Sequence, residues 1–219
     1  TAGNFTGSIY SSSTPNVSLS TLTATGLTGG FTYFFRVGSL NWNGVANYAV
    51  GVSTNLETIL SVYVDSDLYE FGSILPNTVT VSTRAISIVN NGNVPVDYTI
   101  NASTFIATGC PVDWSINGDS LLSGVNLFSL CAHIGETPPD PGGGGFDASD
   151  CFDSATGAEN MSAALFNGAG APTDGNDVPY DAARKLWLRL RSPSEMACGN
   201  NVEQTLSTTV TATPWTTFP

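Results

Sequence analysis

Carboxylates spaced for cation binding lie in two loops of the second half of the chain. Asp147, Asp150 and Asp153 recur at every third position, and Asp174 and Asp177 follow in the next loop. Calcium takes six to eight oxygen ligands, many of them carboxylates from flexible segments, so these five residues are the candidate calcium ligands. The chain has no complete calcium-loop pattern, and the alternative is that they are solvated loop residues. No cofactor is therefore assigned.

Catalytic chemistry has few candidate groups in this sequence. His133 is the only histidine and stands two residues after Cys131, where a structural role is expected. The chain lacks a Gly-x-Ser-x-Gly nucleophile motif, and its cysteines are expected to be oxidised instead of reactive thiolates. Paired carboxylates for glycoside hydrolysis can be chosen in any acidic chain. The sequence predicts that the protein is not an enzyme.

Four cysteines, an even number, lie in the second half of the chain and none lies in the first. Cysteines in this number predict disulfides in an exported protein, and their spacing fits no zinc motif. Three pairings remain open. The pairing of Cys131 with Cys151 would close a loop rich in Gly and Pro, and Cys110 would then pair with Cys198.

The composition argues against nucleic acid as a partner and favours an extracellular or cell-surface location. Only 11% of the 219 residues are charged, well under the usual quarter, whereas Ser, Thr, Asn and Gly are abundant. Six basic against eighteen acidic residues give a net charge of -12, which argues against nucleic acid. No apolar run is long enough to be a membrane-spanning helix. The chain is predicted to be extracellular or on the cell surface.

An alternating apolar run marks a β-strand over residues 27–37, followed by a turn at residues 41–44. Apolar residues and glycine occupy every second position: Leu27, Gly29, Phe31, Tyr33, Phe35 and Val37. A leucine, an aromatic residue six places later and an Asn…Gly loop resemble the fibronectin type III pattern over residues 1–57. Such a domain needs about seven strands. Only four are counted here, at residues 4–12, 17–24, 27–37 and 45–54, so the first domain is predicted to be incomplete.

The gap in this first domain has two explanations. Thr1 stands where Met would begin a gene product, and no signal peptide is present, so upstream sequence is expected to have been removed. The first domain would then be a fragment. The alternative is that a strand from another chain completes its sheet, as in donor-strand pili.

Residues 58–219 predict a second, disulfide-stapled sandwich with long Gly/Pro loops and an apolar C-terminal tail. Its first strands are predicted at residues 60–69, 78–90 and 94–102. Residues 86–98, Ile-x-Ile-x-Asn-x-Gly-Asn-x-Pro-x-x-Tyr, resemble Ig-like domains of bacterial and archaeal envelope proteins. They predict a hairpin whose turn places Gly92 at positive φ. Further strands are predicted at residues 113–116, 126–133, 160–166, 183–190 and 202–213.

Several residues are candidates for contact with a second copy or for modification. Trp215 and Phe218 form an apolar tail, Phe5 and Ile9 lie in the first predicted strand, and Trp187 points away from the leucines of its own strand. Asn-x-Ser/Thr sequons, which are weak glycosylation candidates, begin at four asparagines: Asn4, Asn16, Asn101 and Asn160.

The sequence as a whole predicts an all-β protein with tandem fibronectin type III-like and Ig-like sandwiches, the first incomplete. The expected function is that of an extracellular structural subunit that assembles with copies of itself into a filament, pilus-like fibre or surface layer. Strand complementation between subunits would hold the assembly together. The alternative is an adhesion or carbohydrate-binding module of a larger surface protein.

Overall fold

A computed structural model of the chain describes residues 11–14, 16, 18, 21–103, 106–108, 112–117, 124–140, 145–153, 159–161, 166, 174–198 and 203–215. The chain forms two compact units, Thr1–Ile59 and Leu60–Pro219. The described segments contain no α-helix, which confirms the all-β fold class. None of them is a helix long and apolar enough to cross a membrane.

Fifteen strands and one 3-10 helix, Ala148–Asp150, make up the regular structure of the described residues. The strands are β1 (Thr32–Phe35), β2 (Gly38–Leu40), β3 (Ala46–Tyr48), β4 (Val52–Asn55), β5 (Val62–Val64), β6 (Val79–Val81), β7 (Ile86–Asn90), β8 (Val96–Ala102), β9 (Ile106–Thr108), β10 (Ser115–Ile116), β11 (Leu127–Ile134), β12 (Glu159–Asn160), β13 (Ala183–Arg191), β14 (Glu203–Thr205) and β15 (Thr208–Pro214).

The first unit is built around one long antiparallel hairpin. β1 pairs with β4, and β2 pairs with β3. Phe35 lies opposite Val52, whereas Gly38 lies opposite Tyr48, so the register shifts by one residue between the two pairs and the hairpin is bulged there. The strand predicted over residues 45–54 is therefore two short strands.

Another predicted strand of the first unit is wrong in its described part. No strand forms at residues 18 or 21–24, within the prediction at residues 17–24. Leu22 is the only large apolar residue at these described positions and it is 49% exposed, so no apolar face holds a strand against a core there. The strand predicted at residues 4–12 falls almost wholly outside the described residues.

The larger sheet of the second unit has the order β10-β11-β13-β7-β5, and β6 also pairs with β13. β13 is central because Leu186, Leu188 and Leu190 alternate toward the core while the residues between them point outward. The alternation predicted at residues 183–190 is confirmed. β11 is buried along almost its whole length, on both faces of the sheet.

A three-stranded sheet, β12-β8-β15, faces the larger sheet across one core. Val96, Tyr98 and Ile100 from β8 pack with Leu130 from β11 and Leu188 from β13, and all five side chains are buried. This arrangement is a β-sandwich, in which two sheets bury their apolar faces against each other.

β7 and β8 are not the two arms of a hairpin, contrary to the sequence prediction. β7 belongs to the larger sheet and β8 to the three-stranded sheet, so residues 91–95 cross from one sheet to the other. Gly92 is not among the residues with positive φ. The buried side chain of Asn90 holds residues 91–95 in this crossing. Its Nδ2 donates to Val94 O and Val178 O, and its Oδ1 accepts from Gly92 N.

Candidate functional site

The turn of the hairpin in the first unit is built by Asn41, as the sequence predicted for residues 41–44. Its Oδ1 accepts hydrogen bonds from the backbone N–H groups of Asn43 and Val45, and its carbonyl accepts from Gly44 N. Gly44 has φ +73°, a conformation that glycine adopts without strain. Trp42 lies within this turn and is fully exposed.

The start of the hairpin is fastened by Tyr33. Its hydroxyl group accepts from Thr28 N at 2.8 Å and donates to Thr28 O at 3.1 Å. Such a bond from a tyrosine hydroxyl to the backbone a few residues upstream is called a tyrosine corner where it occurs in immunoglobulin-like sandwiches. Further along, the Arg36 guanidinium lies 3.9 Å from the centroid of the Tyr48 ring, a cation–π contact.

The hairpin exposes apolar side chains along most of its length. Phe34 is 68% exposed and Val50 is 91% exposed. Other large apolar residues of the hairpin that are exposed are Val37, Leu40, Val45, Tyr48 and Val52. Exposed apolar side chains that cluster on one element are candidates for an interaction site. The hairpin is the strongest candidate interaction surface among the described residues.

Charge is divided unequally between the two units. The first unit contains one cation, Arg36, and one anion, Glu57, so its formal net charge is zero. The second unit contains five basic and seventeen acidic residues and carries the whole net charge of -12. Repulsion between copies therefore acts through the second unit, whereas the hairpin is free of it.

A second notable surface is the outer face of the larger sheet, which residues 145–153 cover as a strap. The Cys131–Cys151 disulfide fixes the strap to β11. Phe146 lies edge-on to the His133 ring at 5.6 Å between centroids, and the Arg189 guanidinium lies 5.9 Å from the Phe146 centroid. These contacts form a small core of their own outside the sandwich.

Trp187, a predicted interface residue, belongs to this covered face. It is only 7% exposed, and its indole N–H donates to Gly135 O at 2.7 Å. The ring faces outward from β13, as its alternation indicated, but it packs with Cys131 and Phe146. The cation–π contact on this face is made by Phe146 with Arg189.

His133 lies beneath the strap and is poorly placed for catalysis. Burial lowers the pKa of its imidazole below the usual value. Its Nδ1 is buried and has no hydrogen-bond partner among the described atoms, and the neighbouring ring is the apolar Phe146. A general base needs a substrate proton within reach, and this imidazole is enclosed by its own chain.

In the first loop, the candidate calcium ligands are used to build the strap. Asp147 begins the 3-10 helix, and its carboxylate accepts from the side chain and backbone N–H of Ser149; these bonds lower the pKa of Asp147. Asp150 is buried and its Oδ2 accepts from Asp147 N at 2.9 Å. Asp153 is exposed beside them. This reciprocal pattern is a capping box.

The candidate calcium ligands of the second loop make hydrogen bonds within the loop and to Asp97 of β8. Asp174 Oδ1 accepts from Asn176 N at 3.3 Å, and Asp177 N donates to Asp97 Oδ1 at 2.8 Å. Among the described residues, no three His, Cys, Asp or Glu side chains are arranged to hold a metal ion.

The other predicted site residues fall in several places. Cys198 is disulfide-bonded, and Cys110 lies outside the described residues. Trp215 is half-buried and its backbone N donates to Pro95 O at 3.2 Å. The other three interface candidates, Phe5, Ile9 and Phe218, also lie outside the described residues.

The predicted sequons occupy unrelated positions. Asn16 Oδ1 accepts from the backbone N and hydroxyl group of Ser18. Asn101 is exposed on β8, and Asn160 lies in β12. Asn4 is outside the described residues. Glycosylation of these four asparagines stays a prediction.

Comparison with known proteins yields no relative: no protein-family model matches the chain, and no curated protein sequence matches it.

Proposed function

We propose that this chain is a structural protein of the cell exterior that assembles with copies of itself through pairing of β-strands. The observation that carries the proposal is the hairpin of the first unit, which exposes apolar side chains along its length and belongs to a unit of zero net charge. A two-stranded hairpin is marginally stable in water by itself. Pairing with a further strand would bury this surface and satisfy its backbone groups.

The absence of edge protection supports the proposal. Natural edge strands are blunted with lysine, proline or charged residues that prevent pairing with other chains. Residues 31–56 contain neither proline nor lysine, and Arg36 is their only charged residue. The side chain of Arg36 lies over the Tyr48 ring, so its charge is directed onto the hairpin. An edge of this kind suits a protein whose role is to pair.

An exterior location is supported by the Cys131–Cys151 disulfide and the low charge of the chain. Disulfides persist in oxidising environments and are rare in the reducing cytosol. The tyrosine corner at Tyr33 and Thr28 supports the likeness to fibronectin type III domains. We propose no catalytic role, since the single imidazole of the chain is enclosed beneath the strap.

Sedimentation velocity over a hundredfold range of protein concentration tests the proposal. The wild-type chain should gain mass with concentration, whereas a triple variant of the hairpin, Val37→Ser, Leu40→Ser and Val50→Ser, should remain monomeric. The matched control places the same number of serines at exposed apolar residues of the second unit: Tyr63→Ser, Leu68→Ser and Leu75→Ser. The control should assemble as the wild type does.

Two outcomes of this experiment would refute the proposal. One is a wild-type chain that stays monomeric at every concentration. The other is a hairpin variant that assembles as readily as the control.

A second candidate function, an adhesion or carbohydrate-binding module, is favoured by Trp42. The indole is fully exposed between Asn41 and Asn43 in the hairpin turn, and an exposed aromatic ring flanked by amides is suited to stacking on a sugar face. Trp42→Ala would then abolish retention on a glycan array without changing the oligomeric state measured by sedimentation. Under the assembly proposal, the wild-type chain shows no such retention.

A further inference from the structure

β15 is the longest strand at a sheet edge in the described part of the second unit. It pairs with β8 at seven successive positions, from Thr208 opposite Ala102 to Pro214 opposite Val96. No described strand pairs with its other side. An edge of this length offers a template on which another strand can add.

The hydrogen bonds that flank β15 show which of its backbone groups face this open side. Ser103 N donates to Ser207 O, and Trp215 N donates to Pro95 O, so the odd-numbered residues of this segment bond to β8. In an antiparallel pair the direction of the backbone groups alternates along the strand. Thr208, Val210 and Ala212 therefore direct their N–H and C=O groups toward the open side.

β15 also lacks the charges that normally protect an edge. Residues 206–215 contain no Asp, Glu, Lys or Arg, and Pro214 is the only proline. The side chains of Val210 and Ala212 pack against the core of the sandwich. The edge is thus held rigidly by its own fold while its outward backbone groups stay available.

The backbone hydrogen bonds of the hairpin likewise show which groups of β1 and β4 face outward, and β1 is the strand better suited to pair with β15. Leu56 N donates to Phe31 O, so Tyr33 and Phe35 bond to β4, and Thr32 and Phe34 direct their backbone groups to the open side of β1. The corresponding outward residues of β4 are Ser53 and Asn55. β1, Thr-Tyr-Phe-Phe, has the higher β-propensity and the larger apolar side chains.

We infer that β1 of one copy adds to the open side of β15 of the next copy. Charge disfavours the alternative β15–β15 contact, which would bring together two units that each carry -12, whereas β1 comes from a unit of zero net charge. The two edges belong to different units of one chain, so the contact is heterologous and joins copies head to tail, as a ring if its rotation closes and as an open chain if it does not. The inference rests on the proposed function and identifies β15 as the strand to which the hairpin of the next copy adds.

Proline substitutions at outward-facing residues test the inference, because each removes one free N–H without removing a bond of the existing ladder. Ala212→Pro and Thr208→Pro should each raise the concentration needed for assembly by about tenfold or more, through the lost hydrogen bond and the steric clash of the ring. Ala212→Ser keeps the N–H and is the matched control. Thr208 is the first residue of β15, where proline is well tolerated, so this variant guards against misfolding.

Mixing identifies the two partners. Ala212→Pro retains only a functional β1, and Phe34→Pro retains only a functional β15. Neither variant should assemble alone, and the mixture should form a 1:1 pair by sedimentation. If Ala212→Pro assembles alone, or if Phe34→Pro does, the pairing is homotypic and the inference is wrong. A wild-type chain that is monomeric throughout overturns the proposed function itself, which separates the two failures.

Discussion

The hydroxyl group of Tyr33 bonds to both backbone polar groups of Thr28, accepting from its N–H and donating to its C=O. Tyr33→Phe removes both bonds and retains the ring. Each net hydrogen bond contributes about 0.5–1.5 kcal/mol, so the loss of two should lower the unfolding free energy of the first unit by about 1–3 kcal/mol. The amide hydrogen of Thr28, protected in the wild type, should exchange faster.

Tyr48→Phe is the matched control for this prediction, because the Tyr48 ring contacts Arg36 through its face and that contact survives the substitution. Equal exchange of the Thr28 amide in the wild type and in Tyr33→Phe would show that the corner does not form in solution.

Removal of the Cys131–Cys151 disulfide should release the strap from β11. The double variant Cys131→Ala and Cys151→Ala loses a cross-link between residues 20 apart, and we expect the second unit to lose about 3 kcal/mol of unfolding free energy. Urea denaturation measures this loss. Trp187, which the strap covers in the wild type, should become accessible to iodide quenching.

To assign the increased quenching to Trp187, the double cysteine variant is also made in a protein that carries Trp187→Phe. The increase in quenching should disappear there, because the other tryptophans are unchanged. Wild-type accessibility of Trp187 after removal of the disulfide would mean that Phe146 and its neighbours hold the strap without it.

His133 should make the stability of the second unit depend on pH. Burial lowers the pKa of this imidazole in the folded chain, while the unfolded chain keeps a value of about 6.5. As the pH falls through about 6.5, the unfolded state binds a proton that the folded state does not. The unfolding free energy therefore falls until the pH reaches the folded pKa.

Carboxylates also titrate in acid, so the test is a difference between two proteins. The unfolding free energy of the wild type minus that of His133→Leu should be constant above about pH 7.5 and should decline below about pH 6.5. A difference that is independent of pH between about 5 and 8 would contradict the enclosure of His133.

The crossing from β7 to β8 depends on the buried side chain of Asn90, which makes three hydrogen bonds to backbone groups. Asn90→Ala removes all three bonds, although Val178 O keeps its bond from Val96 N, and we expect a loss of about 3 kcal/mol in the unfolding free energy of the second unit. Asn91→Ala, at an exposed neighbour that bonds through its backbone N to Ser61 O, should cost less than about 0.5 kcal/mol. Equal losses in the two variants would contradict this role of Asn90.

The sequence predicted strands well where one face of the strand is buried. Leu186, Leu188 and Leu190 alternate with residues that face the strap, and this period of two distinguishes β13 from a helix. By contrast, residues 91–95 contain turn residues that suit either a hairpin or a crossing. The choice depends on partners distant in sequence, β13 for β7 and β15 for β8.

The candidate surfaces were only partly visible in the sequence. The alternation in residues 27–37 indicated a strand of an incomplete sheet, but the sequence did not show that the hairpin leaves apolar side chains on both faces in solvent. The alternating threonines of β15 signalled a strand, whereas its place at an edge depends on which strands pair beside it. Trp187 faced outward as predicted, but the strap that covers it lies more than thirty residues earlier in the chain.

Hydrogen–deuterium exchange, resolved to single amides and measured across protein concentrations, tests the central claim most directly. In dilute solution the outward amides of Thr32, Phe34, Val210 and Ala212 should exchange quickly, while Tyr33, which bonds within its own hairpin, stays protected. At high concentration the four outward amides should become protected together, and the protection of Tyr33 should change little. Fast exchange of these four amides at every concentration would contradict strand pairing between copies.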